Sequence, residues 1–192
     1  MSNLYCTKAL KTALVAGACL ALTTACQTTN QGFDTERDVD VSETLIKFPN
    51  ELTSLKGFAF KGAKIREAAS YQVQTVYFTG GSYSYERYFR GGFRNITKSG
   101  FEKSVRKIHP ELTDMSEVKT ANANVGLIHY ATFKLEGGTC FFMQSNYGSA
   151  LNFRSGTGTE GRTVGRYCSQ GDQKNLEAEI LSWVKKVRLS KS

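Results

Sequence analysis

Apolar and polar positions alternate most clearly along Tyr71–Thr79, YQVQTVYFT, where aromatic and β-branched residues recur with a period of two. Such a run predicts a strand, and Gly80-Gly81 stops it. The aromatic, arginine-rich stretch Tyr83–Phe93 is placed to pair back on it. Leu127–Leu135 and Thr139–Tyr147 read as the arms of a hairpin around Gly137-Gly138. That turn sets Cys140 opposite Leu135 and His129 opposite Asn146. Thr44–Phe48 is a short apolar stretch ended by Pro49-Asn50, and Glu117–Ala121 a further short strand. Ala63–Ala69 fits a strand or a turn of helix equally well.

The period becomes helical twice. Ser99 and Glu102 have capping-box spacing and open a helix that runs through Ile108, just before Pro110. Near the C-terminus, Asp172 caps a helix in which Leu176, Ile180, Trp183, Val184 and Val187 share one face. Its acids (Glu177, Glu179) come early and its bases (Lys185, Lys186, Arg188) late, as the helix dipole favours. Residues 149–165, rich in Gly, Ser and Thr, read as a surface loop. The expected fold is a single α+β domain. An antiparallel sheet of about four or five strands packs against the C-terminal amphipathic helix, with a shorter helix at 100–108.

The N-terminus has a different pattern. Lys8 and Lys11 precede the uncharged stretch TALVAGACLALTTA at residues 12–25. This is the h-region length of an export signal, too short to span a bilayer comfortably. It ends Leu22-Thr23-Thr24-Ala25-Cys26, which resembles the lipobox of bacterial lipoproteins, although Thr23 stands where Leu is commonest. The resemblance implies cleavage after Ala25, acylation of Cys26, and anchoring in the cell envelope. Gln27, in place of Asp, points by the same family rule to the outer membrane. The expected organisation is a signal peptide at 1–25, a lipidated acidic tether at 26–43, and a globular domain at 44–192.

Export sets the redox context of the five cysteines. Cys6 and Cys19 leave with the leader and Cys26 is acylated, so Cys140 and Cys168 remain as an even pair in an oxidising compartment. A disulfide is the expected assignment, worth about 3–4 kcal/mol in the chain-entropy model. The rival is a Cys140 nucleophile served by His129. The hairpin separates those two by on the order of 20 Å at strand rise, so they cannot share a proton.

Charge then divides the mature chain. Residues 27–43 hold five acids against Arg37 alone, whereas 44–192 hold 22 basic and 12 acidic residues. Between Lys56 and Lys107 there are 11 bases and three acids, and Arg87, Arg90 and Arg94 interleave with Tyr88 and Phe93. These three arginines are the candidate anion-binding residues, since guanidinium groups hold carboxylates and phosphates bidentately. In the envelope the available anions are lipopolysaccharide, lipid headgroups, wall polymers and acidic proteins; nucleic acid is not an expected partner.

Other motifs carry less. Gly156-Thr-Gly-Thr-Glu-Gly161 matches G-x-G-x-x-G but does not stand between a strand and a helix, so no dinucleotide cofactor is expected. His109 and His129 lie far apart and no Cys/His cluster has zinc spacing, so no metal is expected. The acids Glu86, Glu102, Glu111, Asp114, Glu117 and Glu136 are scattered, and no G-x-S-x-G elbow occurs. The sequence therefore favours a non-enzymatic envelope lipoprotein that binds an anionic envelope component or a protein. The alternative is a cell-envelope hydrolase whose active site the sequence does not reveal.

Overall fold

The computed structural model of the protein describes residues 34–50, 52, 58–89, 91–135, 137–153, 156–169, 171 and 175–190. The leader, Cys26, Arg90 and Asp172 lie outside the described residues.

The elements follow in the order β1 (Thr35–Val39), β2 (Ile46–Lys47), β3 (Phe60–Ala68), β4 (Tyr71–Phe78), β5 (Gly81–Tyr88), β6 (Phe93–Arg94), α1 (Lys98–Ile108), β7 (Lys119–Ala123), β8 (Gly126–Leu135), β9 (Gly138–Phe153), β10 (Gly156–Cys168), α2 (Leu176–Val184) and β11 (Arg188–Leu189). Eight strands make one antiparallel sheet in the order β1-β3-β4-β5-β10-β9-β8-β7, and β6 adds a ninth by pairing with β10. β2 and β11 form a separate two-stranded ribbon.

This mostly-β architecture corrects the expected α+β layout of four or five strands on a C-terminal helix. Three segments account for the difference. Residues 63–68, ambiguous in sequence, lie in β3. Part of the acidic stretch read as tether is β1, held on β3 from Thr35↔Glu67 to Val39↔Ala63. The supposed glycine-rich loop is the end of β9 and much of β10. Its glycines mask a strand because they lie under large side chains. A Cβ on Gly161 would sit 2.9 Å from the Tyr85 ring, and one on Gly165 would sit 2.9 Å from Met143 Sδ and 3.0 Å from the Tyr83 ring.

The β8–β9 hairpin also differs in register by two residues. Leu135 pairs with Gly138, so Cys140 faces Phe133 and His129 faces Gln144. The turn glycine with positive φ is Gly137, at +82°. A shift of two keeps every side chain on its expected face.

Alternate residues of the sheet feed two cores, one on each side. On one face Val76, Phe78, Tyr83, Ile128, Tyr130, Phe141 and Met143 pack with Ile180, Trp183 and Val184 of α2. The Trp183 ring meets Phe78 at 5.9 Å and Phe48 at 6.2 Å. On the other face Ala131, Phe133 and Phe142 pack with Phe101 and Val105 of α1. α1 starts two residues earlier than its capping box suggests: Thr97, not Ser99, is the cap, and its Oγ1 accepts from Gly100 N at 3.0 Å. Glu102 instead accepts from Arg106 one turn on, at 3.2 Å. α2 starts at Leu176 after Asn175, whose side chain makes no capping bond.

Candidate functional site

The strand register fixes two ends of the sheet. At one end lie the start of β1, the β3–β4 turn, the last residues of β5, all of β6 and the start of β8. At the other lie the end of β1, the β4–β5 turn and the Cys140–Cys168 pair. The chemistry-bearing residues gather towards the first end, on and around the segment that leads from β6 into α1.

The most connected group centres on Glu86 of β5 and Arg162 of β10, which face each other across paired strands. Arg162 donates to the Glu86 carboxylate through Nε at 3.1 Å and through Nη2, and Tyr71 donates its hydroxyl to the same carboxylate at 3.0 Å. Aromatic rings roof the pair. Arg162 lies over the Phe93 ring at 4.5 Å, Phe93 meets Tyr88 at 4.9 Å, and Tyr88 meets Tyr71 at 4.7 Å. Burial first, and the Glu86 charge second, push the Tyr71 hydroxyl pKa well up. Its proton is thereby kept for the carboxylate. With Glu86 neutralising Arg162, this group ties β4, β5, β6 and β10 together and offers little free charge.

Beside it is a cleft of about 130 Å³ lined by Asn95, Ile96, Leu127, His129 and Asn146. Asn146 donates from Nδ2 to Arg94 O at 3.0 Å, which fixes the orientation of its amide. Burial, then the Lys98 charge, lower the His129 pKa, so its imidazole favours the neutral form. His129 and Cys140 stand four positions apart along the hairpin, about 13 Å at strand rise, and Cys140 is joined to Cys168 directly across β9 and β10. No proton can pass between them. His109 is buried against Phe133 at 5.3 Å. Among the described residues, no three His, Cys, Asp or Glu side chains come together as a metal site.

Two of the three candidate anion-binding arginines are among the described residues. Arg87 is half-buried with its guanidinium 5.6 Å from the Phe89 ring, Arg94 is exposed on β6, and Arg90 lies outside the described residues. The exposed cations instead continue from Arg94 along the outer face of α1, through Lys98, Lys103, Arg106 and Lys107. Arg106 is paired with Glu102, and Lys98 stands 3.9 Å from Glu117. Among the described residues Arg94, Lys103 and Lys107 carry no ion pair.

Sequence reasoning missed Arg162, Tyr71 and Asn146. The available signal was period-two alternation in β10, where Arg162, Val164 and Arg166 alternate with Gly161, Thr163, Gly165 and Tyr167. Compared with known protein families, curated proteins and solved structures, the chain matches none.

Proposed function

We propose that the protein is an envelope lipoprotein, anchored through Cys26, whose sheet domain has a non-enzymatic role in binding an anionic envelope component. The anchor rests on the leader and its lipobox-like end. The observation that supports the binding role is the run of exposed cations from Arg94 into α1. Among the described residues Arg94, Lys103 and Lys107 have no ion-pair partner, which leaves their charge for a ligand. α1 buries Phe101 and Val105 against the sheet, which holds the opposite, basic face outwards in a fixed array.

The test uses a chain made without its leader, from residue 26 onward and carrying Cys26→Ser, so that no lipid is added and the domain's own affinity is read. It should bind vesicles rich in anionic lipid, and not zwitterionic ones, with binding that fades as salt rises. Changing Arg94, Lys103 and Lys107 together to Gln should weaken binding several-fold without lowering the melting temperature, because exposed substitutions usually cost under about 0.5 kcal/mol each. Absence of any salt-sensitive binding would overturn the anionic ligand and leave the anchor standing.

A further inference from the structure

We infer that the protein docks on the bilayer with the end of its sheet that carries Phe89 and Leu127, so that this end is a lipid-headgroup contact surface. The inference rests on the anchored reading above and adds an orientation to it.

The first observation is where the anchored chain enters the fold. Eight residue steps separate Cys26 from Asp34, so at most about 29 Å of extended chain can join them. Asp34 is tied down, donating from its N to Glu67 O at 2.7 Å, and β1 runs away from that point towards Val39. The strands of the sheet are themselves of similar length: the eight residues of β4 span about 27 Å. The tether therefore joins the fold at the β1-start end. The far end, with the β4–β5 turn and the disulfide, lies a strand's length further along.

The second observation is independent of the tether. Among the described residues four large hydrophobic ones are exposed: Tyr77, Phe89, Ile108 and Leu127. The two most exposed, Phe89 at 52% and Leu127 at 51%, both lie at the β1-start end. Phe89 follows β5 and donates from its N to Ser70 O in the β3–β4 turn at 2.9 Å; Leu127 is the second residue of β8. Aromatic and aliphatic side chains at such positions gain by entering the interfacial zone, where a ring meets acyl chain and its surroundings stay wet.

The third observation is charge. Arg87 stacks on Phe89, Arg94 is exposed on β6, and Lys98 is exposed at the start of α1, all at this end. Basic side chains flanking exposed apolar ones let the apolar groups enter while the charged heads stay with phosphates. The described acids there are Asp34, Glu36, Glu67, Glu86 and Glu160; Glu36 is paired with Lys64, Glu67 accepts from Gln72, and Glu86 is neutralised by Arg162.

The test uses full-length lipidated protein reconstituted into vesicles containing anionic lipid, with single cysteines carrying an environment-sensitive fluorophore at Phe89, Leu127 or Tyr77. The native pair Cys140 and Cys168 is oxidised and does not take the label. Headgroup-region quenchers borne on lipid should quench the label several-fold more at 89 and 127 than at 77. Phe89→Ser with Leu127→Ser should reduce quenching of a further label at Ser70 while the protein stays on the vesicles. Equal quenching at all three positions, with the protein still vesicle-bound, would overturn the orientation and spare the anchor. Protein that does not remain with vesicles at all would overturn both readings.

Discussion

Arg162 on β10 and Glu86 on β5 form an ion pair between directly opposed residues, with the Glu86 side chain 14% exposed and that of Arg162 31%. The carboxylate also accepts from Tyr71 on β4, so one acid gathers donors from strands on both sides of its own. Partial burial makes removal of either partner costly, because the survivor keeps its desolvation penalty and loses its counter-charge.

Arg162→Met and Glu86→Gln should therefore each destabilise the domain by about 1–3 kcal/mol. The double variant should cost clearly less than the sum, with a coupling on the order of 1 kcal/mol. Denaturant titrations of the four proteins check this; strict additivity would show that the pair contributes no interaction of its own.

The disulfide between Cys140 and Cys168 closes a 28-residue separation that contains most of the β9–β10 hairpin. Cys140→Ala should lower stability by about 3–4 kcal/mol, the chain-entropy estimate for that loop. Non-reducing mass analysis of the mature protein should show the two cysteine peptides linked. Alkylation of both thiols in unreduced, folded protein would contradict the pairing.

His129 gives the domain a pH dependence of known sign. Burial and Lys98 hold its pKa below the ordinary value, so the unfolded chain takes up a proton first as pH falls. The stability this group contributes is present above about pH 6.5, the unfolded imidazole value, and is lost as pH drops through the lower folded value. Denaturation midpoints should fall on acidification, and His129→Gln should flatten that fall. An unchanged slope in the variant would assign the acid sensitivity to other groups.

How much of this was legible beforehand depended on whether a strand was written in alternating residues. Tyr71–Phe78 announces itself, and Leu176, Ile180, Trp183 and Val184 mark the buried face of α2, although the helix ends at Val184 and leaves Val187 and the expected late bases Lys185, Lys186 and Arg188 beyond it. β10 does not, because Gly161 and Gly165 serve on the face where Tyr85, Tyr83 and Met143 already fill the space. Reading that segment as loop hid three strand pairings, with β5, β6 and β9, and with them Arg162. β1 was hidden for another reason. Glu36 and Asp38 look like a solvated acidic run, yet they face Arg66 and Lys64 across the β1–β3 pair, and the Glu36–Lys64 bond is 2.7 Å. The arginines at 87 and 94 were singled out for their spacing in sequence. The strand ladder sets them opposite Gly161 and Gly158 of β10, with Arg87 drawn onto Phe89 and Arg94 left exposed.

The central claim is the lipid anchor, and metabolic labelling with a clickable fatty-acid analogue tests it most directly. The wild-type protein should take the label, and its mature N-terminal peptide should begin at acylated Cys26. Cys26→Ser should lose the label and leave the leader uncleaved at Ala25. Label that persists in Cys26→Ser, or that maps to Cys19, would contradict the assignment.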